Sequence, residues 1–458
     1  LTNIETRPVV IIGAGVSGSS TAIRLLKEGI TPLVVDQAKF PREIVGEGLS
    51  PYTCDYLEEL GVLEEINQAP FMKKSSLQLV SPDGSKAYAK VDLTKEPYAD
   101  GIHAQPWGFN VKRKDFDYVL FRKAQRDGAE IRESTKVKEI LLNDEGAVTG
   151  VVLEDEHNQK TIVHTSLVID CSGRTSKLAQ QLKLRAPLEK VFDGQWANYA
   201  IRCYFKDVNL GPLRSEGQDD YDIATVNILP DRNCWYWIIP LEENLFSIGF
   251  VARSKTKQML DSQVDKMRAY RDLIEKHHVL REVVKEAEML ENVVVTARLG
   301  HMNTRMAGDG FICVGDAGFF ADPAWATGVT VALITSKLAT EVVMEAIQKK
   351  NFSHQLLKKY EDLYHGYIKN RFNSIRAYNT YYNDTDYVNF LVKRLSHRPE
   401  EMHLITAVLF DYMSHHHFNS WTFKVFKDYV AKTGKLPVVN KVAQLNFDSE
   451  ESLIQPLT

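Results

Sequence analysis

Four consecutive apolar residues, Val9-Val10-Ile11-Ile12, run directly into Gly13-x-Gly15-x-x-Gly18. Ala22, Ile23, Leu25 and Leu26 follow at helical spacing before Gly29, and Leu33-Val34-Val35 then leads to Asp36, 18 positions after Gly18. An apolar run rich in β-branched residues suits a central parallel strand buried on both faces, and the whole reads as a βαβ unit. Each glycine has a mechanical task in such a unit: Gly13 makes the tight turn, Gly15 lets a pyrophosphate approach the backbone, and Gly18 permits close helix packing, while Asp36 can hold a ribose hydroxyl. The pattern therefore points to dinucleotide binding. NAD and FAD share the unit, so it does not choose between them.

The chain has 458 residues, of which 44% are hydrophobic and 25% charged, values that exclude a disordered, collagen-like or fibrous protein. With 56 basic and 60 acidic side chains the net charge is −4, which offers no electrostatic reason to expect nucleic acid as a partner. Cys54, Cys171, Cys203, Cys234 and Cys313 are scattered without a CxxC pair or metal-ligand spacing, and are read as reduced thiols. No metal site is expected. Because there is neither an 18-residue apolar stretch nor a basic segment followed by an apolar core and cleavage site, a soluble, unexported, cytoplasmic protein is expected.

Strand signals recur over residues 137–169, and residues 199–252 carry alternating or apolar strands such as YAIRCYF, ATVNIL and WYWIIPL. The middle of the chain thus reads as a largely β platform. Beyond residue 330 the spacing becomes helical, over residues 331–345, a Tyr-rich stretch at 356–382, and residues 400–412 and 421–431. These helices are expected to form a layer on the core, and their tyrosines to be packing residues in the main, with some able to line an aromatic pocket.

Three further segments resemble the flavoprotein monooxygenase superfamily. Phe311-Ile312-Cys313-Val314-Gly315-Asp316-Ala317-Gly318 is an apolar strand ending in Gly-Asp, and looks like the superfamily's late GD segment, which contacts the ribityl-pyrophosphate of FAD ahead of a helix whose N-terminus faces the flavin. Val111-Lys112-Arg113-x-x-Phe116-Asp117 looks like its VxRxxFD helix, which implies that Arg113 lies near FAD and Val137 near the adenine. Ile169-Asp170-Cys171-Ser172-Gly173-Arg174 resembles its DASGR strand end. The resemblance selects FAD.

Within that superfamily, Trp235-Tyr236-Trp237-Ile238-Ile239-Pro240 matches the WxWxIP motif of flavin-dependent halogenases, which implies that Trp235, Trp237 and Pro240 belong to the active-site wall. Phe40-Pro41-Arg42-x-x-Val45-Gly46-Glu47-Gly48-Leu49-Ser50-Pro51 resembles the family's FPRxxVGExLxP segment and adds Arg42 to the FAD contacts. The Tyr-rich helices after YEDLYHGYIKNRF look like those of halogenases acting on phenols or pyrroles. This family uses reduced FAD, oxygen and chloride or bromide to make hypohalous acid, and a lysine then directs or stores the electrophilic halogen. Lys74-Ser75-Ser76-x-x-Leu79 is the nearest match to the KxGxxF segment of phenol and pyrrole halogenases, so Lys74 is the candidate and Lys73 its competitor. Asp322-Pro323-Ala324-Trp325-Ala326-Thr327-Gly328 occupies the place of the DPxxSTG turn, which puts Thr327 in the active site and makes Thr327 and Gly328 the halide-binding pair. Ala326 replaces the usual Ser, and Trp325 stands where tryptophan halogenases carry a carboxylate, which argues against free tryptophan as substrate.

The implied fold is α/β (α+β): a Rossmann-like FAD-binding region over residues 1–190 with a β insertion at 75–110, a mainly β substrate platform at 191–300, a return to the FAD-binding region at 301–345, and a helical region at 346–458. The implied partners are a small electron-rich aromatic, free or tethered to a carrier protein, and a separate flavin reductase, since no second dinucleotide fingerprint is present. Three alternatives share the scaffold. A geranylgeranyl-reductase-like enzyme would carry YxWxFP and a Cys before Gly-Glu, where this chain has Trp235, Ile239 and Val45. A monooxygenase or oxidase without halide use fits Ala326 and the altered lysine motif, and a non-enzymatic protein would hold FAD as a structural group. His415-His416-His417 read as a polar turn or surface, because three consecutive residues do not share one helical face.

Overall fold

The three-residue runs Val10–Ile12, Leu33–Val35 and Val168–Asp170 are buried on both faces and form the middle of a parallel sheet, continued by Phe311–Cys313 on one side and Glu130–Arg132 on the other. Short antiparallel Ala307–Gly308 closes its edge. The helices Val16–Lys27 and Gly328–Lys349 pack together beside this sheet, which gives the expected βαβ start and its late return. The architecture is that of a computed structural model in which residues 3–90, 105–186, 197–215, 218, 224–231, 234–253, 266–290, 293–297, 299–320, 323, 326–381, 384–409 and 415–435 are described.

A second sheet, the platform, is mostly antiparallel. Its order is Glu288–Met289, Ala197–Lys206, Leu245–Arg253, Cys234–Glu242, Thr225–Asp231, Ser76–Val80 and Lys86–Lys90. Thr225–Asp231 pairs in parallel with Ser76–Val80, so the early β insertion and the middle of the chain build one sheet although the paired residues lie 148 positions apart. Along Cys234–Glu242 the side chains alternate. Cys234, Tyr236 and Ile238 enter a core shared with the helices Lys266–Lys276 and His278–Val284, two helices inside a stretch whose sequence reads as mainly β. Trp235, Trp237 and Ile239 face the parallel sheet.

A smaller sheet of Asn3–Thr6, Lys160–His164, Val148–Glu154 and Lys136–Leu142 accounts for the strand signals before residue 169. The Tyr-rich stretch forms the helix His354–Tyr381. Its buried Tyr360 and Tyr364 hydroxyls donate to the carbonyls of Cys313 and Gly315 at 2.7 and 3.3 Å, so these two tyrosines pin the helix to the parallel sheet rather than line a pocket. His415–Thr433 is helical from its first residue, so of the expected polar turn or surface the turn is excluded, and the side chains of His415 to His417 lie outside the described residues. Among the described residues no metal-binding cluster occurs, no cysteine is paired, and no helix is long and apolar enough to cross a membrane.

Candidate active site

The loops that follow Ile12, Val35, Asp170 and Cys313 all leave the same edge of the parallel sheet, and they open onto one cavity of about 820 Å³ whose far wall is the platform. Gly13 turns the chain at φ +97°, a conformation L side chains rarely adopt, and a Cβ there would stand 2.6 Å from the Cys171 carbonyl oxygen. A Cβ on Gly18 would stand 1.7 Å from the Gly13 carbonyl oxygen, so the first helical turn lies directly against the glycine loop. Gly15 has an ordinary φ of −69° and serves by its openness: the guanidinium of Arg42 occupies the space above it, 2.7 Å from where a Cβ would be. Asp36 accepts from the Ala14 and Ala38 N–H groups, both at 2.8 Å, and still borders the cavity.

Arg113 is held bidentately by buried Asp117 at 2.7 and 3.2 Å and donates to the Gly46 carbonyl at 3.1 Å. It thereby fixes the segment 42–50 that crosses from the glycine loop to the platform. Val137 and Asp316 complete this end of the cavity. A backbone loop open at Gly15, a helix start, two guanidinium groups and a carboxylate at the end of the second strand together fit the phosphates and ribose of a dinucleotide.

Asp316 and His301 are neighbours with opposed titrations. Burial lifts the Asp316 carboxyl from its ordinary 3.8 to about 6, against the pull of Arg113, Arg174 and Arg185. Burial, with Arg185 beside it, drops His301 from 6.5 to about 4, against its hydrogen bonds to the carbonyls of Asp316 and Leu299 at 2.6 and 3.1 Å. As pH falls from 6.5 to 4 the unfolded chain takes up the histidine proton first and stability is lost; as it falls from 6 to 3.8 the folded chain takes up the Asp316 proton first and stability is gained. The two trends offset. Asp316→Asn removes the gain, so FAD-free Asp316→Asn should lose stability more steeply between pH 6.5 and 4 than the parent. Urea midpoints across that range measure it, and parallel slopes would contradict the assignment.

On the platform side, Met72–Lys74 pairs antiparallel with Gly108–Asn110, and the pleat sends adjacent lysines opposite ways. Lys73 is exposed, its ammonium 4.1 Å from the centre of the Trp107 ring. Lys74 is 5% exposed and borders the cavity. Gly48 bridges to Asn110, and a Cβ on Gly48 would lie 3.4 Å from Lys74 Nζ and 3.6 Å from the Ala326 methyl. The ammonium therefore sits beside the crossing segment and the start of Gly328–Lys349. Ser50, Thr53 and Thr330 lock that arrangement with three buried hydroxyl contacts of 2.9–3.1 Å.

Trp235 and Trp237 share one face of their strand with ring centres 5.6 Å apart. Gly249 lies opposite Trp237 in register and leaves room for its indole, which a Cβ would meet at 2.2 Å. The Trp237 N–H donates to Ser247 Oγ at 3.1 Å, and Ser247 donates to Glu47 at 3.2 Å. By contrast Trp235 is 6% exposed and its buried N–H has no hydrogen-bonding partner among the described residues.

Glu47 lay within a quoted motif without a role, and the fold supplies one. Its carboxylate is buried between Ser247, the Tyr204 hydroxyl at 3.3 Å and the fully buried Arg202 guanidinium at 3.4 Å, which also lies 3.8 Å from the Tyr204 ring centre. Burial raises the Glu47 carboxyl, while Arg202 and the two hydroxyls pull it down. Glu47→Ala should cost about 3 kcal/mol, the lower end for breaking a buried pair, because Glu43 remains 3.5 Å from Arg202. Chemical denaturation would show it, and Glu47→Gln should recover part of the loss because it keeps the hydrogen-bonding geometry.

Of the residues named from sequence, Gly13, Gly15, Asp36, Arg42, Lys74, Arg113, Val137, Trp235, Trp237, Asp316 and Gly328 meet on this one cavity. Gly18, Thr327 and Pro240 are not on its wall. Gly18 is spent on helix packing, Thr327 is the buried cap residue of Gly328–Lys349, and Pro240 falls on the other face of its strand by parity. Ala326, at φ +51°, does border the cavity. Asp322, Ala324, Trp325 and Asn233 lie outside the described residues.

A family model described as FAD binding domain matches residues 6–365. A 1H-pyrrole-2-carbonyl-(peptidyl-carrier protein) chlorinase of Pseudomonas fluorescens is 28% identical over 383 residues, which cover 81% of this chain and 83% of that one. The corresponding brominase of Pseudoalteromonas luteoviolacea is 26% identical over 354 residues, 76% of this chain and 79% of its own. Among solved structures, the flavin-dependent brominase Bmp2 matches with a TM-score of 0.74 at 21% identity over 93% of this chain and 100% of that one, a likeness of fold.

Proposed function

Because the chain belongs to the family built on this FAD binding domain, we propose that it is an FAD-dependent oxidoreductase of the flavin-dependent halogenase type, acting on an electron-rich phenol or pyrrole. The observation that carries this reading is the meeting of a dinucleotide cradle, a buried Lys74 and the Trp235–Trp237 pair on one cavity. When bound, FAD supplies the reduced flavin that activates oxygen for oxidation of chloride or bromide.

The chain's residues do the rest. The glycine loop and Arg42 hold the pyrophosphate, Asp36 the ribose, and Arg113 the crossing segment, while Asp316 and Val137 border the remaining cofactor. Gly328 presents the first N–H of a 22-residue helix, whose positive end favours a halide, with Thr327 as its cap. Lys74 Nζ, shielded from bulk water, donates a hydrogen bond to hypohalous acid as an ammonium or, as the neutral amine, forms an N–X bond while the O–X bond breaks and water leaves, and so holds the electrophile until an aromatic carbon attacks it. The tryptophan pair walls that space. A separate reductase is the proposed source of reduced FAD, and a carrier-tethered acyl pyrrole, the substrate type in the names of both curated relatives, is one form the substrate can take.

The test is mass spectrometry of reactions containing the protein, FAD, a flavin reductase, NADH, oxygen and bromide, with phenols and with free and carrier-bound pyrroles. A bromine isotope doublet in the product is expected. A halogen-free product gaining one oxygen or losing two hydrogens would instead favour the monooxygenase or oxidase reading, to which Ala326 in place of the usual Ser lends support.

A further inference from the structure

Several polar groups on the platform wall of the cavity are committed within the protein. Trp237 donates to Ser247 at 3.1 Å, the Asn110 amide donates to Thr225 Oγ1 at 3.0 Å, and Thr225 donates back at 3.3 Å. Asn227, two residues after Thr225 and on the same face of its strand, is not. It stands directly across from Trp237 in antiparallel register and beside Leu79 in parallel register, and both of those side chains belong to the core between the platform and the parallel sheet. Its own side chain therefore projects to that side, where it lines the cavity. Asn227 is half-buried, its amide makes no hydrogen bond to any described residue, and both amide atoms keep accessible surface. Thr296 also lines the cavity, but on the strand Val294–Ala297, four strands away across the same sheet. The place of Asn227 matters as much as its freedom. Asn110 lies opposite Met72, and Lys74 opposite Gly108, so the Asn110 and Lys74 side chains share one face of their ribbon. Lys74, Asn110, Thr225 and Asn227 thus follow one another along the wall, with one pleat, about 7 Å, between the last two, and Trp237 flanks Asn227.

A primary amide sets an acceptor and a donor side by side, and its complement is a ligand with a donor and an acceptor on neighbouring atoms. A phenol brings one hydroxyl, and a bare pyrrole or indole one N–H. A pyrrole acylated at the carbon next to nitrogen brings an N–H and a C=O that can point the same way and pair with both halves of the amide while the ring lies against the Trp237 indole. We propose that Asn227 is a specificity-determining residue that pairs with the N–H and the adjacent carbonyl of an acylated pyrrole, and so selects that substrate over a phenol. The proposal rests on the halogenase reading for its aromatic substrate and narrows it to one class.

Calorimetric titration of the FAD-loaded protein, without halide or reductant, tests this with ring-matched probes: 2-acetylpyrrole, which carries both groups, 2-ethylpyrrole, which lacks the acceptor, and 2-acetylfuran, which lacks the donor. The parent should bind 2-acetylpyrrole about tenfold more tightly than either of the others. Asn227→Leu, set between the apolar side chains of Leu79 and Trp237, should fold, keep FAD and lose the preference. Asn227→Asp, which keeps the acceptor and loses the donor, should bind 2-ethylpyrrole as the parent does and lose the advantage of 2-acetylpyrrole over it. Thr296→Val should retain the full preference. Equal binding of the probes to the parent, no binding of any, an unchanged preference in Asn227→Leu, or an effect confined to FAD affinity would each overturn the proposal. Nothing is halogenated in the experiment, so its failure is distinct from failure of the proposed reaction, which the bromine doublet reads.

Discussion

Lys74→Ala is expected to abolish halogenated product, a fall of about 10²-fold or more, while FAD binding, flavin reoxidation and release of oxidised halogen continue. The reason is position. Lys74 is 5% exposed on the cavity wall, its ammonium near Gly48, where the proposed reaction puts it in the path of the electrophile between formation and the ring. Nothing in the cradle at Gly13, Gly15 or Asp36 depends on it. Lys74→Met, which keeps the stem and loses the charge, separates packing from chemistry and should be equally inactive. Lys73→Ala should keep activity, since Lys73 points outward over Trp107. Measured by product formation and flavin reoxidation in parallel, full activity in Lys74→Met would remove Lys74 from the mechanism.

The second large effect lies at the other end of the cavity. Gly15→Val should fold normally and lose FAD, with affinity at least about 100-fold weaker, equivalent to about 2.7 kcal/mol. Gly15 has φ −69° and ψ −165°, extended values that a β-branched residue adopts without strain. Only space is at issue: a side chain there projects into the region now filled by the Arg42 guanidinium, 2.7 Å from its Cβ, where a pyrophosphate must lie against the loop. Gly13 would not serve for this test, because φ +97° and a 2.6 Å approach to the Cys171 carbonyl put backbone and not ligand in the way. Equilibrium titration with FAD, alongside circular dichroism, distinguishes the two. Gly15→Val protein that still carries stoichiometric FAD would refute the placement of the pyrophosphate.

The cofactor half of the site was legible from residues alone because it is local. Gly13, Gly15, Gly18 and Asp36 act within one βαβ unit, where spacing along the chain is spacing in the fold. The resemblance extended this to Arg42, Arg113, Val137 and Asp316, all of which border the cavity. Four of the C-terminal helices were visible from their 3.6-residue periodicity, with ends displaced by up to six residues, whereas the helix Thr385–Ser396 lies outside the stretches that the periodicity marked.

The platform half was not legible in that way. Periodicity marks Trp235 and Trp237 as sharing a face, but whether that face meets helices or the cofactor is decided by Lys266–Lys276 and His278–Val284 covering the other one. The choice between Lys73 and Lys74 depends on a pairing with Gly108–Asn110 that no local pattern specifies. The task of Glu47 exists only because Tyr204 and Ser247, 157 and 200 residues later, fold against it. What this chain's sequence determined by itself was therefore the chemistry whose parts are neighbours: the dinucleotide cradle, the helices and the list of reactive side chains. Which lysine faces inward, and which indole finds a hydrogen-bonding partner among the described residues, was decided by tertiary structure, because burial and long-range strand register are properties of segments far apart in the chain.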